Sequence, residues 1–217
     1  MIVDLHTHSL FSDGVLVPAE SARRAKQAGY SGIALTDHAD HSNLSFILPA
    51  VLRFKNEYNS SDNDFKVLAG VELTHVRPSQ IQELTVKARN LGADLVIVHG
   101  ETIMEPVEEG TNRAAILSGV DILAHPGLIK RDDVVLAAEL GVCLEITTRR
   151  THSYTNAYVA KLAAECGAKL VINNDFHSPG EYVGEEKALK ILLGSAIPEE
   201  AALQVIENTV ALFKSKL

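Results

Sequence analysis

The sequence predicts an α/β fold: one domain over residues 1–217, with parallel strands wound into a closed or nearly closed barrel. Two patterns carry that expectation. Seven short apolar runs, at residues 2–5, 32–36, 66–73, 94–98, 120–124, 142–147 and 169–173, are mostly β-branched or Leu, as in strands buried on both faces. Helical stretches lie between them, and strand–helix alternation with short links implies parallel strands and right-handed crossovers. A doubly wound open sheet is the rival arrangement, since periodicity alone does not decide closure. With no Trp and only 5% aromatic residues, the core must be Val, Ile, Leu and Ala, which suits buried parallel strands.

The helices follow in order. Residues 18–28 open with Pro18 and end before Gly29, the Pro-first, Gly-after asymmetry of a helix. Residues 78–91, 112–118, 132–140 and 156–166 are followed by Gly92, Gly119, Gly141 and Gly167, each suited to a left-handed C-terminal cap. Helices at 43–58, 185–193 and 198–214 complete the set, and 59–64 reads as a polar loop. The 43–58 stretch is expected to be a barrel helix rather than a lid over the mouth.

The formal charge is −8, and the only adjacent basic pairs are Arg23–Arg24, Lys130–Arg131 and Arg149–Arg150. Extended nucleic acid is disfavoured as a partner, though a short oligonucleotide is not. Cys143 and Cys166 make neither a metal spacing nor a disulfide framework, which fits a reducing compartment. The start lacks the charged and apolar regions of a signal peptide, and no apolar run nears the ~20 residues of a membrane span. A cytoplasmic protein without membrane contact is the expectation.

Six of nine histidines fall at or just after a strand's end: His6, His8, His38, His99, His125 and His177. Glu72 and Asp175 fall at such ends too. In a β/α barrel these positions share one mouth, where active sites form. His6-Thr-His8 and Asp175-Phe-His177 have the i, i+2 spacing that points two side chains to one face of an extended chain. Mixed imidazole and carboxylate donors suit Zn, Mn or Fe(II). Each residue alone has a plainer reading, as a buried His, a turn residue or a strand-end charge; the coincidence of place favours a multinuclear metal site. Three divalent ions against the carboxylates of Asp13, Glu72 and Asp175 leave a net positive site, suited to a phosphoryl dianion and to a metal-activated water.

These motifs together resemble the polymerase and histidinol phosphatase (PHP) family. The matching segments are Asp4-Leu-His6-Thr-His8-Ser, Ser12-Asp13-Gly14, Leu35-Thr36-Asp37-His38, Gly70-Val-Glu72, Val98-His99-Gly100, Leu123-Ala-His125-Pro126 and Asn174-Asp175-Phe-His177. The resemblance implies a distorted (β/α)7 barrel with two or three divalent ions (Zn, Mn or Fe). The implied ligands are His6, His8, Asp13, His38, Glu72, His99, His125, Asp175 and His177, with Glu72 bridging and a metal-bound hydroxide attacking phosphorus. Asp13 departs from the family pattern, in which many members have a His one residue displaced.

A more local resemblance joins His99-Gly-Glu-Thr, Asn112-Arg-Ala-Ala-Ile-Leu, residues 120–127 and Leu144-Glu-Ile to the PHP-fold protein subunit of ribonuclease P, which generally lacks the full metal set. The expected function is hydrolysis of phosphate esters, foremost a phosphomonoesterase on a small phosphorylated metabolite. A phosphodiesterase or short-oligonucleotide exonuclease, or a non-enzymatic RNA-binding subunit, is the alternative.

Around the mouth, Arg149 and Arg150 are candidates to hold a substrate phosphate. His152 is a candidate proton donor to the leaving group; its plain alternative is a surface His at a helix start. Catalytic roles are therefore expected for Glu72, Asp175, His152 and Arg149. Asp37 can orient an imidazole. Glu145 should point into the barrel and needs a partner, Arg149 or a ligand His. His41 and His75 are read as non-ligands.

Overall fold

A computed structural model describes residues 1–217. The seven apolar runs all become strands: β1 (Val3–Thr7), β2 (Gly32–Leu35), β4 (Lys66–Leu73), β5 (Leu95–His99), β6 (Ile122–Ala124), β7 (Cys143–Thr147) and β8 (Leu170–Asn173). The structure adds an eighth, the two-residue β3 (His38–Ala39). β4 has eight residues, enough to pair with β2 along 66–69 and with β3 at Glu72 and Leu73. The chain breaks stride at Thr36-Asp37 and resumes on the same neighbour, which delivers His38 opposite Glu72.

All strands are parallel, in the order β1-β2-β4-β5-β6-β7-β8. The seam between β8 and β1 is spanned by the segment after β8. Thr7 bridges Phe176 in parallel, His8 N–H donates to Phe176 O (2.8 Å), and Leu5 N–H donates to Asn173 Oδ1 (3.0 Å). The result is a nearly closed barrel, not the doubly wound rival.

The helices are α1 (Pro18–Gln27), α2 (Leu44–Ser61), α3 (Pro78–Asn90), α4 (Thr111–Leu117), α5 (Arg131–Leu140), α6 (Asn156–Cys166), α7 (Glu185–Gly194) and α8 (Glu199–Ser215). The five glycines expected to end helices, Gly29, Gly92, Gly119, Gly141 and Gly167, all have positive φ, from 66° to 98°. One boundary differs: α2 runs on to Ser61, shortening the expected loop. Asn59 explains it, since its side chain donates to Val67 O and accepts from Val67 N–H, tying the last helical turn to β4. The 43–58 segment is a barrel helix, with Leu44, Ile47, Leu48 and Val51 buried.

Side chains sort by alternation. Leu68, Leu95, Ile97, Ile122, Cys143 and Val171 fill the barrel interior, joined by Phe213 of α8. Leu144, Ile146, Val96, Val98 and Leu123 face outward under the helices. α8 is fastened to β8 by Ile172 N–H donating to Thr209 Oγ1 (2.9 Å). No helix is long and apolar enough to cross a membrane.

Candidate metal centre

β1 carries a one-residue bulge: Asp4 pairs with Ile33 and Thr7 with Leu35, so three steps on β1 match two on β2. A bulge re-aims the side chains that follow it. Val3 and Leu5 belong to the interior cluster, and beyond the bulge His6 also turns inward, its Nδ1 meeting Glu145 Oε1. Alternation then brings His8 to the same side, so the i, i+2 pair works because the strand slips once before it.

All nine residues expected as ligands meet at the C-terminal mouth. His6 Nε2 lies 3.3 Å from Glu72 Oε1 and 3.8 Å from Asp175 Oδ1. His8 Nε2 lies 3.4 Å from Asp175 Oδ1 and 3.7 Å from Glu72 Oε2. His125 Nε2 lies 3.6 Å from Glu72 Oε1. On the other flank, Asp13 faces His177 Nε2 (3.1 Å), His38 Nε2 (3.5 Å) and His8 Nδ1 (3.8 Å). His99 stands with its ring 4.5 Å from that of His125. Glu72 is central, touching His6, His8, His38 and His125.

The donor set fits divalent cations on two observations. Fully buried atoms of these residues have no hydrogen-bond partner: His6 Nε2, both nitrogens of His8, Glu72 Oε1 and His125 Nδ1. Leaving such an atom unsatisfied costs about 1–3 kcal/mol, so this concentration needs a partner that the protein does not supply. Moreover, most facing atoms stand 3.1–3.8 Å apart. A charge-assisted hydrogen bond would be shorter, and donors sharing a tetrahedral ion at Zn–N and Zn–O distances sit about 3.3 Å apart.

Electrostatics agree. Burial opposes ionisation of Glu72, but His6 and His38 hold its carboxyl well below the usual range. Burial likewise opposes a charged His38, yet Glu72 and Asp13 push that ring up to about 10. Burial, with His38 and His6 adjacent, outweighs the carboxylates around His8 and drives it down to about 3. Without cations, protons held on His38 and His6 thus supply the positive charge beside the ionised carboxylates.

Glu145 is the main supporting residue. It is fully buried, and its Oε1 accepts from His6 Nδ1 (2.9 Å) and Asn173 Nδ2 (2.9 Å) while Oε2 accepts from His125 N–H (3.2 Å). Its partner is the candidate ligand His6 rather than Arg149, and this contact at Nδ1 turns His6 Nε2 toward Glu72 and Asp175. Asp37 orients no imidazole. It accepts from Ser9 N–H (2.7 Å), Ser9 Oγ (2.8 Å) and Ser12 Oγ (2.9 Å), anchoring the loop that carries Asp13. Gly14 lets this loop close, because a Cβ there would sit 2.5 Å from His8 O.

Arg149 is half-buried and turned toward the ligands: its Nη1 lies 2.8 Å from His177 Nδ1 and 3.1 Å from Asp175 O. Arg150 is exposed, and both line an open polar hollow of about 400 Å³ with Lys187, Thr148, Thr151 and Ser178. His152 is buried rather than a surface residue; its Nδ1 meets Thr102 Oγ1 (2.9 Å) and its ring stacks on His125 at 4.3 Å. Burial, with His125 adjacent, pushes His152 down to about 4, a poor match to a proton donor near neutral pH. His41 is exposed and joins no cluster, whereas His75 approaches Glu105.

Sequence reasoning passed over Glu105, Asn173 and Thr102. Asn173 carries no motif, and Thr102 closes the His99-Gly-Glu-Thr segment without a role attached to it. Glu105 had one faint signal, being a carboxylate in the loop after His99. Two ligand candidates also have unusual backbone, His125 at φ 25° and Asp175 at φ 51°, as does His75 at φ 52°. Such strain in non-Gly residues gathers at functional sites.

Comparison with known proteins gives a consistent placement. The PHP domain family matches residues 4–99. An uncharacterized protein of Methanocaldococcus jannaschii is 44% identical over 100% of this chain and 98% of its own. Ribonuclease P protein component 3 of Methanosarcina acetivorans is 35% identical, covering 90% and 82% respectively. A probable phosphatase of Thermoanaerobacter sp. is 28% identical, covering 94% and 90%. Among solved structures, a chain of archaeal ribonuclease P with mature tRNA superposes with a TM-score of 0.74 at 18% identity, covering 99% of this chain and 90% of that one. Histidinol phosphate phosphatase of Lactococcus lactis, complexed with zinc, L-histidinol and phosphate, superposes with a TM-score of 0.62 at 17% identity, covering 91% and 94%. With its barrel, its ordered motifs and these relatives, the chain belongs to the PHP domain family.

Proposed function

We propose that this protein is a metal-dependent phosphoesterase, acting foremost as a phosphomonoesterase on a small phosphorylated metabolite. The observation that carries this reading is the complete set of nine imidazole and carboxylate donors at one mouth, with buried lone pairs facing one another at ligand spacing. His6, His8, Glu72 and Asp175 would hold one divalent ion, Asp13, His38 and His177 a second, and His99 and His125 a third, with Glu72 shared. Zn, Mn or Fe bound there supplies positive charge for the phosphoryl group and lowers the pKa of a water to a usable range.

The chain's own residues do the rest. Glu145 and Asn173 hold His6 in register. His177 Nδ1 has two competing neighbours, since a protonated nitrogen donates to Asp175 O (2.9 Å) and an unprotonated one accepts from Arg149. When Nε2 ligates, Nδ1 keeps its proton and satisfies Asp175 O. Arg149, positioned by Asp175 Oδ2 (3.5 Å) and Glu181 Oε1 (3.7 Å), then has its Nη1 free of His177 and with Arg150 would bind phosphate oxygens. The polar hollow beside these arginines accommodates the remainder of a small, hydrophilic substrate.

The test is elemental analysis of the purified protein, followed by turnover of nitrophenyl phosphate, its bis ester and a short oligonucleotide after loading with zinc, manganese or iron. Two to three ions per chain and preference for the monoester are expected. Preference for the bis ester or oligonucleotide would make it a phosphodiesterase or exonuclease. A second reading is favoured by the 35% identity to a ribonuclease P component: association with RNA in a ribonucleoprotein. Metal-free protein that binds RNA in a salt-sensitive way would select it.

A further inference from the structure

One cluster extends beyond the nine residues of the shared motifs. We propose that Glu105 is an additional, loop-borne cation ligand at the His99–His125 position, and that an incoming phosphate must compete with it there. This rests on the phosphoesterase reading and deepens it.

Glu105 Oε2 lies 3.2 Å from His99 Nε2 and 3.1 Å from His75 Nε2, while its Oε1 lies 3.5 Å from His152 Nε2. Three imidazoles thus converge on one carboxylate. His152 itself stands with His99 and His125 as a potential ligand trio. The separations from His99 and His152 bracket the roughly 3.3 Å between donors on a tetrahedral ion and exceed a charge-assisted hydrogen bond. Both of those rings are buried, whereas Glu105 is 37% exposed, so the carboxylate reaches in from the solvent side. That is the side from which a substrate oxygen must arrive.

The placement is built rather than incidental. Glu101 Oε1 accepts N–H bonds from Gly110 (3.0 Å) and Asn112 (2.9 Å), and Asn112 Oδ1 accepts Glu101 N–H (2.9 Å), clamping both ends of the 100–110 loop. Thr102 Oγ1 ties the same loop to His152. Pro106 follows Glu105 and restricts it to extended backbone. His75 adopts φ 52°, costly for a residue with a Cβ, and its Nε2 meets the same oxygen, Oε2, that faces His99. The carboxylate thus stands between two buried imidazoles and one exposed, strained His, at a position a phosphate oxygen arriving from solvent must compete for.

The experiment titrates zinc into wild type, Glu105→Gln and Glu108→Gln, an exposed carboxylate of the same loop, in buffered free zinc with elemental analysis at each point. Inorganic phosphate binding is then measured by calorimetry at saturating zinc. Glu105→Gln should need at least about tenfold more free zinc for one equivalent only, and at saturation should bind phosphate at least about threefold more tightly; Glu108→Gln should follow wild type. Glu105→Asp, one methylene shorter, should shift the same equivalent if the Gln variant folds poorly. Identical zinc isotherms for wild type and both Glu105 variants, or unchanged phosphate affinity, overturn the proposal while leaving the phosphoesterase reading intact. A wild type that binds none of zinc, manganese and iron at any concentration overturns both.

Discussion

Substituting Glu145 separates ligand positioning from ligand supply, because this buried carboxylate touches the centre through His6 and the backbone of His125. Its two oxygens satisfy three donors: His6 Nδ1–H and Asn173 Nδ2–H at Oε1, and His125 N–H at Oε2. In Glu145→Gln the amide oxygen can serve the first two, but its NH2 then faces His125 N–H, donor against donor. One buried donor goes unpaired, at about 1–3 kcal/mol, and the bond to His6 loses its charge assistance. Removing such a supporting carboxylate typically costs 10- to 100-fold in metal affinity, about 1.4–2.8 kcal/mol. Chelator competition on Glu145→Gln should therefore show that loss for the ion held by His6, with the other ions little changed. Glu145→Ala leaves all three donors unpaired. That is several kcal/mol against a typical stability of about 5–15, and it should lower the melting temperature even of metal-free protein. Wild-type metal affinity in Glu145→Gln, or an unshifted melt in Glu145→Ala, would refute the reasoning.

Three further outcomes are expected. His6→Ala and Asp175→Ala should lose metal and turnover together, read by elemental analysis beside the phosphatase assay; either variant keeping both at wild-type levels removes its residue from the centre. Arg149→Ala should raise KM with little change in ion count, and loss of an ion would instead show that its contact with His177 supports the ligand shell. Chelator-treated protein should melt at progressively lower temperature as pH rises. The His38 ring, raised to about 10 against about 6.5 when unfolded, contributes stability that is complete below about pH 6.5 and lost as pH climbs through about 10. Cations compete with that same proton, so metal affinity should rise over this window while the metal-loaded protein melts at a nearly constant temperature.

Much of this was legible in the chain itself. Apolar runs fixed the seven main strands because a parallel strand buried on both faces tolerates little else. Glycines marked helix ends because left-handed backbone excludes a Cβ at low cost. The candidate ligands at strand ends could be grouped from the chain alone, since every strand of a β/α barrel delivers its C-terminal residue to one rim; Asp13, in a loop, came from the family resemblance. β3 was hidden because two residues carry no periodicity.

The three-dimensional arrangement decided what depends on contacts between distant residues. Whether the sheet closes rests on the segment after β8 reaching β1, and the inward turn of His6 rests on a bulge defined only against β2. Glu145 became the support of His6, Asp37 the anchor of the Asp13 loop, and His152 a buried neighbour of His125, because each role is set by who stands opposite. Glu105 could not be placed from its neighbours in sequence: a loop carboxylate is ordinary until His75, His99 and His152 are brought around it. Local propensity specifies elements and strand ends, while the partner of a charge is a property of the packed fold.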